Sequence, residues 1–446
     1  MALLEYYLDG KIVPPVTSPC VNRYLHDFQN IVFFLFLILF SIFLINIFSS
    51  KNNIGIKNFI LVNSYNIFNE KLFIYFIYFY HIAFAIFHII LNDCKEVIDP
   101  FPINPNDANS IYINAGYFFD YIFFELGSHF ISYVIHPFVT TLKISFLNIN
   151  LFFSIVGFFG VLSFYFITKK KIYKDNKNLI YFLLILVLLP NFHYWTSYLT
   201  KDVIIFSFLS FYLFYTFSEK KSRIINYLLI LYFIIVFLIR PYIGLFFILG
   251  HGFAYIGLMK NYRMFDYRKI FLFISFVSIM LYLFFILINR FEFTGFLDTF
   301  NNIHLYLNNR FDATSSSVTI LTDKSYAVRQ MMYFFVPLDF SFLSNSLKEN
   351  FALFNNLTLL LIFCILFFHI IYNFTYAKNA FVMMFKGKDK KVQKLGLFFF
   401  FLITWFAYSQ TTGNYGIIMR QKESIMFIMY FYLLYINSNI LYLKRK

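Results

Sequence analysis

Residues 151–217 read LFFSIVGFFGVLSFYFITKKKIYKDNKNLIYFLLILVLLPNFHYWTSYLTKDVIIFSFLSFYLFYTF. Three apolar runs, 151–167, 179–189 and 203–217, are separated by two gaps of opposite character. The first gap carries Lys169, Lys170, Lys171, Lys174 and Lys177 against a single acid, Asp175. The second is aromatic and polar, with Pro190, Trp195 and Tyr198 ahead of Lys201 and Asp202. Runs of this kind approach the roughly 20 apolar residues that a helix needs to cross a bilayer. Lys and Arg are retained on the cytoplasmic side, so the lysine-rich gap lies inside and the aromatic gap outside.

The same alternation extends to both ends of the chain. Apolar runs are centred on 31–48, 72–91, 151–167, 179–189, 203–217, 225–239, 243–258, 270–288, 353–372, 395–408 and 424–443, the fourth and tenth being short. With the N-terminus outside and the C-terminus inside, the inner gaps hold 24 of the 37 basic residues but 5 of the 22 acidic ones. The hydrophobic fraction of 60% and mean hydropathy of +0.68 exceed those of soluble domains. The expected fold is all-α: a polytopic transmembrane helix bundle of about 11 spans, with residues 1–446 forming one integral membrane domain. The net charge of +15 follows from this topology. Nucleic-acid binding is not expected, because it needs a basic soluble face.

Residues 1–30 are polar and lack a small-residue cleavage site, so the first span is expected to be retained. The three cysteines form no framework: Cys20 and Cys94 face outside, paired or free, and Cys364 lies in a span. No internal repeat is visible, which weighs against repeat-built transporters. Two outer segments, 92–150 and 289–350, exceed simple turns and are expected to be periplasmic loops holding partly buried helices. In the first, FISYVIHPFVTTLKISF (130–146) contains Pro137 and Lys143 and reads as an interfacial or re-entrant helix rather than a span.

Three motifs place a cation at the outer start of an inward-going span: Lys201 in LLPNFHYWTSYLTKDVIIF, Arg240 in FLIRPYIGLFF and Arg420 in TTGNYGIIMRQKESIMF. Pro241 suits a first helical position, and Gly413 and Gly416 permit a tight loop. A cation at the positive end of a helix dipole is unfavourable by itself. It becomes favourable when an anion sits there, because backbone N–H groups, dipole and side chain then converge on it, and Arg grips phosphate through paired hydrogen bonds. The reading is a phosphate or pyrophosphate group in the outer leaflet. The alternative is that these cations snorkel to headgroups or pair with Asp202 and Glu423.

Candidate acids and bases lie on the same side. Asp107, in NPNDANSIY, serves catalysis or acceptor binding, or only caps a short helix. His193 serves as a base or makes an interfacial hydrogen bond. His81 and His88 are seven apart on one helical face and read as a helix contact. Asp93, Glu96 and Asp99 lack the spacing of a metal site, and neither metal nor cofactor is called for. The second loop carries Asp298, Arg310, Asp312, Asp323, Lys324 and Arg329, which read as largely solvated. No phosphate loop, zinc-protease, paired-cysteine or serine-elbow motif occurs. Inverting sugar transfer from a pyrophosphate lipid needs only an acid or base and cations for the leaving group.

At these residues the chain resembles the bacterial O-antigen or oligosaccharide repeat-unit polymerases (Wzy-like, EpsG-like). PNFHYWTSYLTKD is similar to their P-x-x-x-x-W-[ST]-S-x-x-x-K-[DE] pattern, and NYGIIMRQKESIMF to G-x-x-x-R-x-[KR]-[ED]; LIRPYIGLFF is the third piece. In a fourth, YFFVPLDFSFLSNSLKENFALF, Val336 stands where relatives carry Arg. The resemblance implies an enzyme of the bacterial cytoplasmic (inner) membrane that joins undecaprenyl-pyrophosphate-linked oligosaccharides at its outer face. Lys201, Arg240 and Arg420 would hold pyrophosphate, with Trp195, Tyr242 and Gln421 at the glycan. Asp107, His193 and Asp202 would serve the chemistry, Asp202 orienting Lys201. The implied partners are the lipid-linked substrate, the bilayer, a chain-length regulator and a flippase. A polyprenyl-phosphate-dependent transferase or ligase is the second reading. A flippase or transporter is the third; it would carry charges along a path within its spans.

Overall fold

The computed structural model describes residues 28–51, 61–62, 65–66, 70–93, 107–117, 127–172, 176–218, 223–259, 328, 330, 333, 347–385, 391–411 and 415–445. Among these the chain is helical, apart from a two-residue antiparallel ladder in which Leu61–Val62 (β1) pairs with Tyr65–Asn66 (β2). The helices are α1 (Phe28–Lys51), α2 (Glu70–Asp93), α3 (Asp107–Tyr117), α4 (Ser128–Thr140), α5 (Phe146–Lys171), α6 (Lys177–Leu188) and α7 (Pro190–Thr196). They continue with α8 (Lys201–Phe217), α9 (Arg223–Ile239), α10 (Pro241–Met259), α11 (Leu347–Tyr372), α12 (Phe374–Met384), α13 (Lys391–Thr411) and α14 (Tyr415–Arg445). Every predicted span falls on a helix except 270–288, which lies outside the described residues, as do Cys20, Cys94, Glu96, Asp99, Gly413, Val336 and the six charged residues of the second loop.

Among the described residues, six helices are long and apolar enough to cross a membrane, or seven when the bent pair α6 and α7 counts as one span. α9 and α10 are shorter apolar helices. Exposed faces are greasy: Ile224, Leu228 and Leu231 on α9, Phe253 on α10 and Phe368 on α11 are all more than half exposed. Contiguous apolar exposure on this scale is unfavourable in water and natural against lipid chains. The bend of 48° between α6 and α7 has a local cause in Pro190, which has no N–H to continue the α6 ladder and begins α7 at its first position.

The chain divides into two compact units, Met1–Phe158 with Ser197–Lys201, and Phe159–Thr196 with Asp202–Lys446. In the first, neutral polar side chains tie helices together. Ser41 and Tyr78 share a buried hydrogen bond, and Tyr75 donates to Asn46 Oδ1 at 2.9 Å. Asn30 accepts the Ser145 N–H at 2.8 Å, while its carbonyl accepts from Asn148 at 2.9 Å. The 92–150 segment is partly helical. α4 is 13 residues long with Pro137 inside it, too short to span, and Lys143 turns the chain at φ 47° before α5.

In the second unit α14 is the central element, buried along most of its length. α10 and α13 cross closely at glycines: a Cβ on Gly250 would lie 2.7 Å from the Gly396 carbonyl, and one on Gly396 2.5 Å from the His251 ring. Small residues let membrane helices approach in this way. His251 fills the space beside the crossing, its Nδ1 donating to Phe247 O at 2.7 Å and its Nε2 accepting from Tyr212 at 2.6 Å.

Candidate functional site

Arg240 stands alone between two helices. α9 ends at Ile239 because Pro241 cannot donate to its ladder, and α10 begins at that proline. The Arg240 N–H still reaches Val236 O at 2.8 Å, while its carbonyl accepts from Ile243 and Gly244 at 3.0 and 3.3 Å. One residue thus closes α9 and caps α10, as the position of Pro241 predicts. Its side chain is not released to solvent: Arg240 is 8% exposed, and its Nη2 lies 2.9 Å from Oδ1 of Asp202, itself 3% exposed in the first turn of α8. An acid suits that position, where it faces the positive end of the α8 dipole.

Three tyrosines complete this centre. Tyr408 from α13 accepts from Arg240 Nη1 at 3.5 Å, and the rings of Tyr242 and Tyr333 lie 6.2 and 6.3 Å from that of Tyr408. Burial by itself pulls the Arg240 pKa down, but Asp202, with Tyr242 and Tyr408, outweighs it and holds the guanidinium cationic. Burial pushes the Tyr333 hydroxyl well above its usual range, so it stays protonated. Tyr408 takes one of the five N–H groups of the guanidinium fork, and Asp202 supplies the opposite charge as an ion pair.

A second polar group is built where α14 meets α7 and α11. Arg420, half-buried, lies over the Trp195 ring at 5.9 Å from its centroid. One turn further, Glu423 is 2% exposed, and its Oε1 accepts from Asn191 of α7 at 2.9 Å and Asn355 of α11 at 3.1 Å. Lys422, 0% exposed, donates to Asn356 Oδ1. Asn191 and Trp195 are four residues apart on α7 and Glu423 and Arg420 three apart on α14, so each pair shares a helical face. The two helices therefore meet through two successive rungs, Asn191 to Glu423 and Trp195 to Arg420.

Among the predicted residues, the structure brings Asp202, Arg240 and Tyr242 together, and Trp195 with Arg420. Lys201 is half-buried and begins α8, as expected. Arg420 does not open its helix: α14 starts at Tyr415, which puts this cation more than one turn past the positive end of the dipole. Asp202, expected to orient Lys201, forms an ion pair with Arg240, one of the pairings left open by the sequence. His193 is fully buried, and its Nε2 donates to Val187 O at 2.5 Å, stapling the α6–α7 break. Gln421 is buried beside Lys422, and Asp107 begins α3 in the first unit. The sequence reading missed Tyr333, Tyr408, Asn191, Asn355 and Asn356. The adjacent asparagines inside the apolar run of α11 were the available signal, since paired amides in a span point toward protein rather than lipid.

Fold and site together define an all-α protein whose apolar helices are consistent with a multi-pass membrane protein, with buried charge gathered at helix junctions. Comparison with known proteins gave no match: no family model, curated protein or solved structure is significantly similar to this chain.

Proposed function

We propose that this chain is a lipid-linked oligosaccharide polymerase, transferring a growing glycan from an undecaprenyl-pyrophosphate carrier onto the nonreducing end of a new repeat unit. The observation that carries the reading is the Arg240 centre: a buried guanidinium, held cationic and oriented by Asp202, at a helix junction walled by Tyr242, Tyr333 and Tyr408. A departing pyrophosphate gathers negative charge, and a donor fixed in advance in a low-dielectric site stabilises that charge without reorganising. Arg420, braced on Trp195, supplies a second cation. Both arginines belong to the motifs that resemble the polymerases.

The reading includes a topology. Eleven spans with the N-terminus outside the bacterial inner membrane and the C-terminus inside would put Lys201, Arg240 and the start of α14 at the outer face, where the carrier presents its glycan. The test is a gel of surface glycolipid from a strain lacking the gene, complemented with wild type or Arg240→Ala. Collapse of a polymer ladder to one repeat unit, restored by wild type and not by the variant, is the expected result. Loss of even that unit points to an earlier transferase or the flippase, and an unchanged ladder rejects the proposal.

A further inference from the structure

α12 has no part in the Arg240 centre. It follows α11 with Asn373 between them and runs for 11 residues, FTYAKNAFVMM, about 16 Å of helix and too short to span. Ala377, Ala380 and Met384, spaced by three and four, form its buried face. That face lies against the end of α14: Ala377 and Ala380 pack with Ile440, Ile436 and Leu443 lie alongside, and Asn439 donates to Ala380 O at 3.5 Å.

The rest of α12 resembles neither a span nor the surface of a soluble protein. Phe374 is 73% exposed and Val382 53%, and Tyr376 and Phe381 are exposed as well. Thr375, Lys378 and Asn379 are exposed between them. Thr375 and Asn379, four apart, share one face, while Phe374 and Phe381, seven apart, share another. Exposed rings in such number are unfavourable in water, and an exposed lysine and amide are unfavourable in hydrocarbon. The headgroup boundary suits both, and short amphipathic helices lie there with aromatic side chains turned toward the acyl chains. The surroundings agree. Phe368, Ile371 and Tyr372, at the end of α11, are each more than half exposed, so the apolar surface of that span leads into that of α12.

The charge at this end has one sign. Lys378 is joined by Lys444 and Arg445 in the last turn of α14 and by Lys169, Lys170 and Lys171 in the last turn of α5. The end of α5 belongs here because Asn176, five residues beyond it, donates to Ser438 of α14 at 3.3 Å. Among the described residues, α12 and the last two turns of α14 and α5 contain no acid. Retention of Lys and Arg on one side of a membrane accounts for that sign, but not for a docked helix with exposed rings in the gap between two spans. We infer that α12 is a membrane-surface helix: Phe374 and its neighbours seat among the upper acyl chains, and Lys378, Lys444 and Arg445 bind the headgroups of anionic phospholipids in the leaflet at this end. The inference does not depend on the polymerase reading. A protein covering the same rings would leave unexplained their continuity with the exposed apolar side of α11.

The test places a tryptophan on the exposed side of α12, as Phe374→Trp in the full chain, reconstituted into vesicles of phosphatidylcholine and phosphatidylglycerol with one or the other lipid brominated on its acyl chains. The signal is the fluorescence added to that of Trp195 and Trp405. Both brominated lipids are expected to quench it, phosphatidylglycerol with an apparent affinity about threefold or more above that of phosphatidylcholine. The preference should fall toward one in high salt and in the triple variant Lys378→Gln, Lys444→Gln, Arg445→Gln. Val382→Trp repeats the reading from a second exposed position. Quenching by aqueous acrylamide but by neither lipid overturns the inference, because α12 then faces water. Quenching by none of the three overturns it in favour of a protein cover, such as a second copy of the chain. Equal quenching by the two lipids, or a preference that survives the triple variant, overturns the anionic-lipid assignment. Failure of both tryptophan variants to insert and fold also overturns the inference, since a lipid-facing position accepts the ring.

Discussion

The two ends of α14 solve one problem in different ways. Both are buried, and both reach neighbouring helices through polar side chains. Near the C-terminal end the buried hydrogen bonds run through neutral groups: Asn437 donates to Leu366 O at 3.2 Å and accepts from His369 at 2.6 Å, Ser438 accepts from Asn176 at 3.3 Å, and Asn439 donates to Ala380 O at 3.5 Å, while the charged Lys444 lies over the Tyr372 ring in the last turn. Near the N-terminal end the ties run through Arg420, Lys422 and Glu423. Neutral amides hold helices together at little desolvation cost, whereas a buried ion has to recover several kcal/mol. The contrast separates a part of the helix that needs only position from a part that needs charge.

The comparison can be broken by substitution. The largest effect is expected for Arg240→Ala, which removes the cation of the first centre: a fall of about 100-fold or more in polymer formed per protein, as for loss of a preorganised donor to a developing anion. Next is Asp202→Ala, which strands a buried guanidinium. It is expected to lower stability by about 3–5 kcal/mol in thermal unfolding in detergent. The double variant Asp202→Leu with Arg240→Met should recover most of that stability while remaining inactive, because no charge is left unpaired.

At the neutral end, Asn437→Ala is expected to cost about 1–3 kcal/mol through the stranded His369 and Leu366 groups, with elongation per folded molecule unchanged. An activity loss there equal to that of Arg240→Ala would erase the distinction between the two ends. The smallest effect is expected for Trp195→Leu, which removes a cation–π contact worth about 0.5–2 kcal/mol. Its signature is a few-fold rise in the lipid-linked substrate needed for half-maximal elongation.

The helices were legible because a membrane span declares itself in local composition. The runs at 31–48 and 424–443 need no knowledge of their neighbours to be read, and Pro190 and Pro241 mark breaks through their own missing N–H groups. The site was legible only in part. Arg240 and Arg420 stand out as cations beside apolar runs, but their partners are fixed by packing. Asp202 and Arg240 are 38 residues apart, and Tyr408 lies 168 residues from Arg240; nothing local in the sequence joins them. Tyrosine is so abundant, at 36 residues, that Tyr333 and Tyr408 carry no signal of their own. The burial of Lys422 and Glu423 was hidden for a related reason: a charge at the edge of an apolar run reads as a span boundary, while α14 in fact begins at Tyr415.

The helices that end at Arg240 and Asp202 are short. α8 and α9 have 17 residues each, about 25 Å of helix, against a hydrocarbon core of about 30 Å. α8 is buried along most of its length, whereas α9 exposes Ile224, Leu228 and Leu231, and a bilayer meeting a helix this short thins locally to match it. The protein would then indent the leaflet beside its buried arginine, and under the proposed function this would shorten the distance that a lipid carrier's headgroup sinks to reach Arg240.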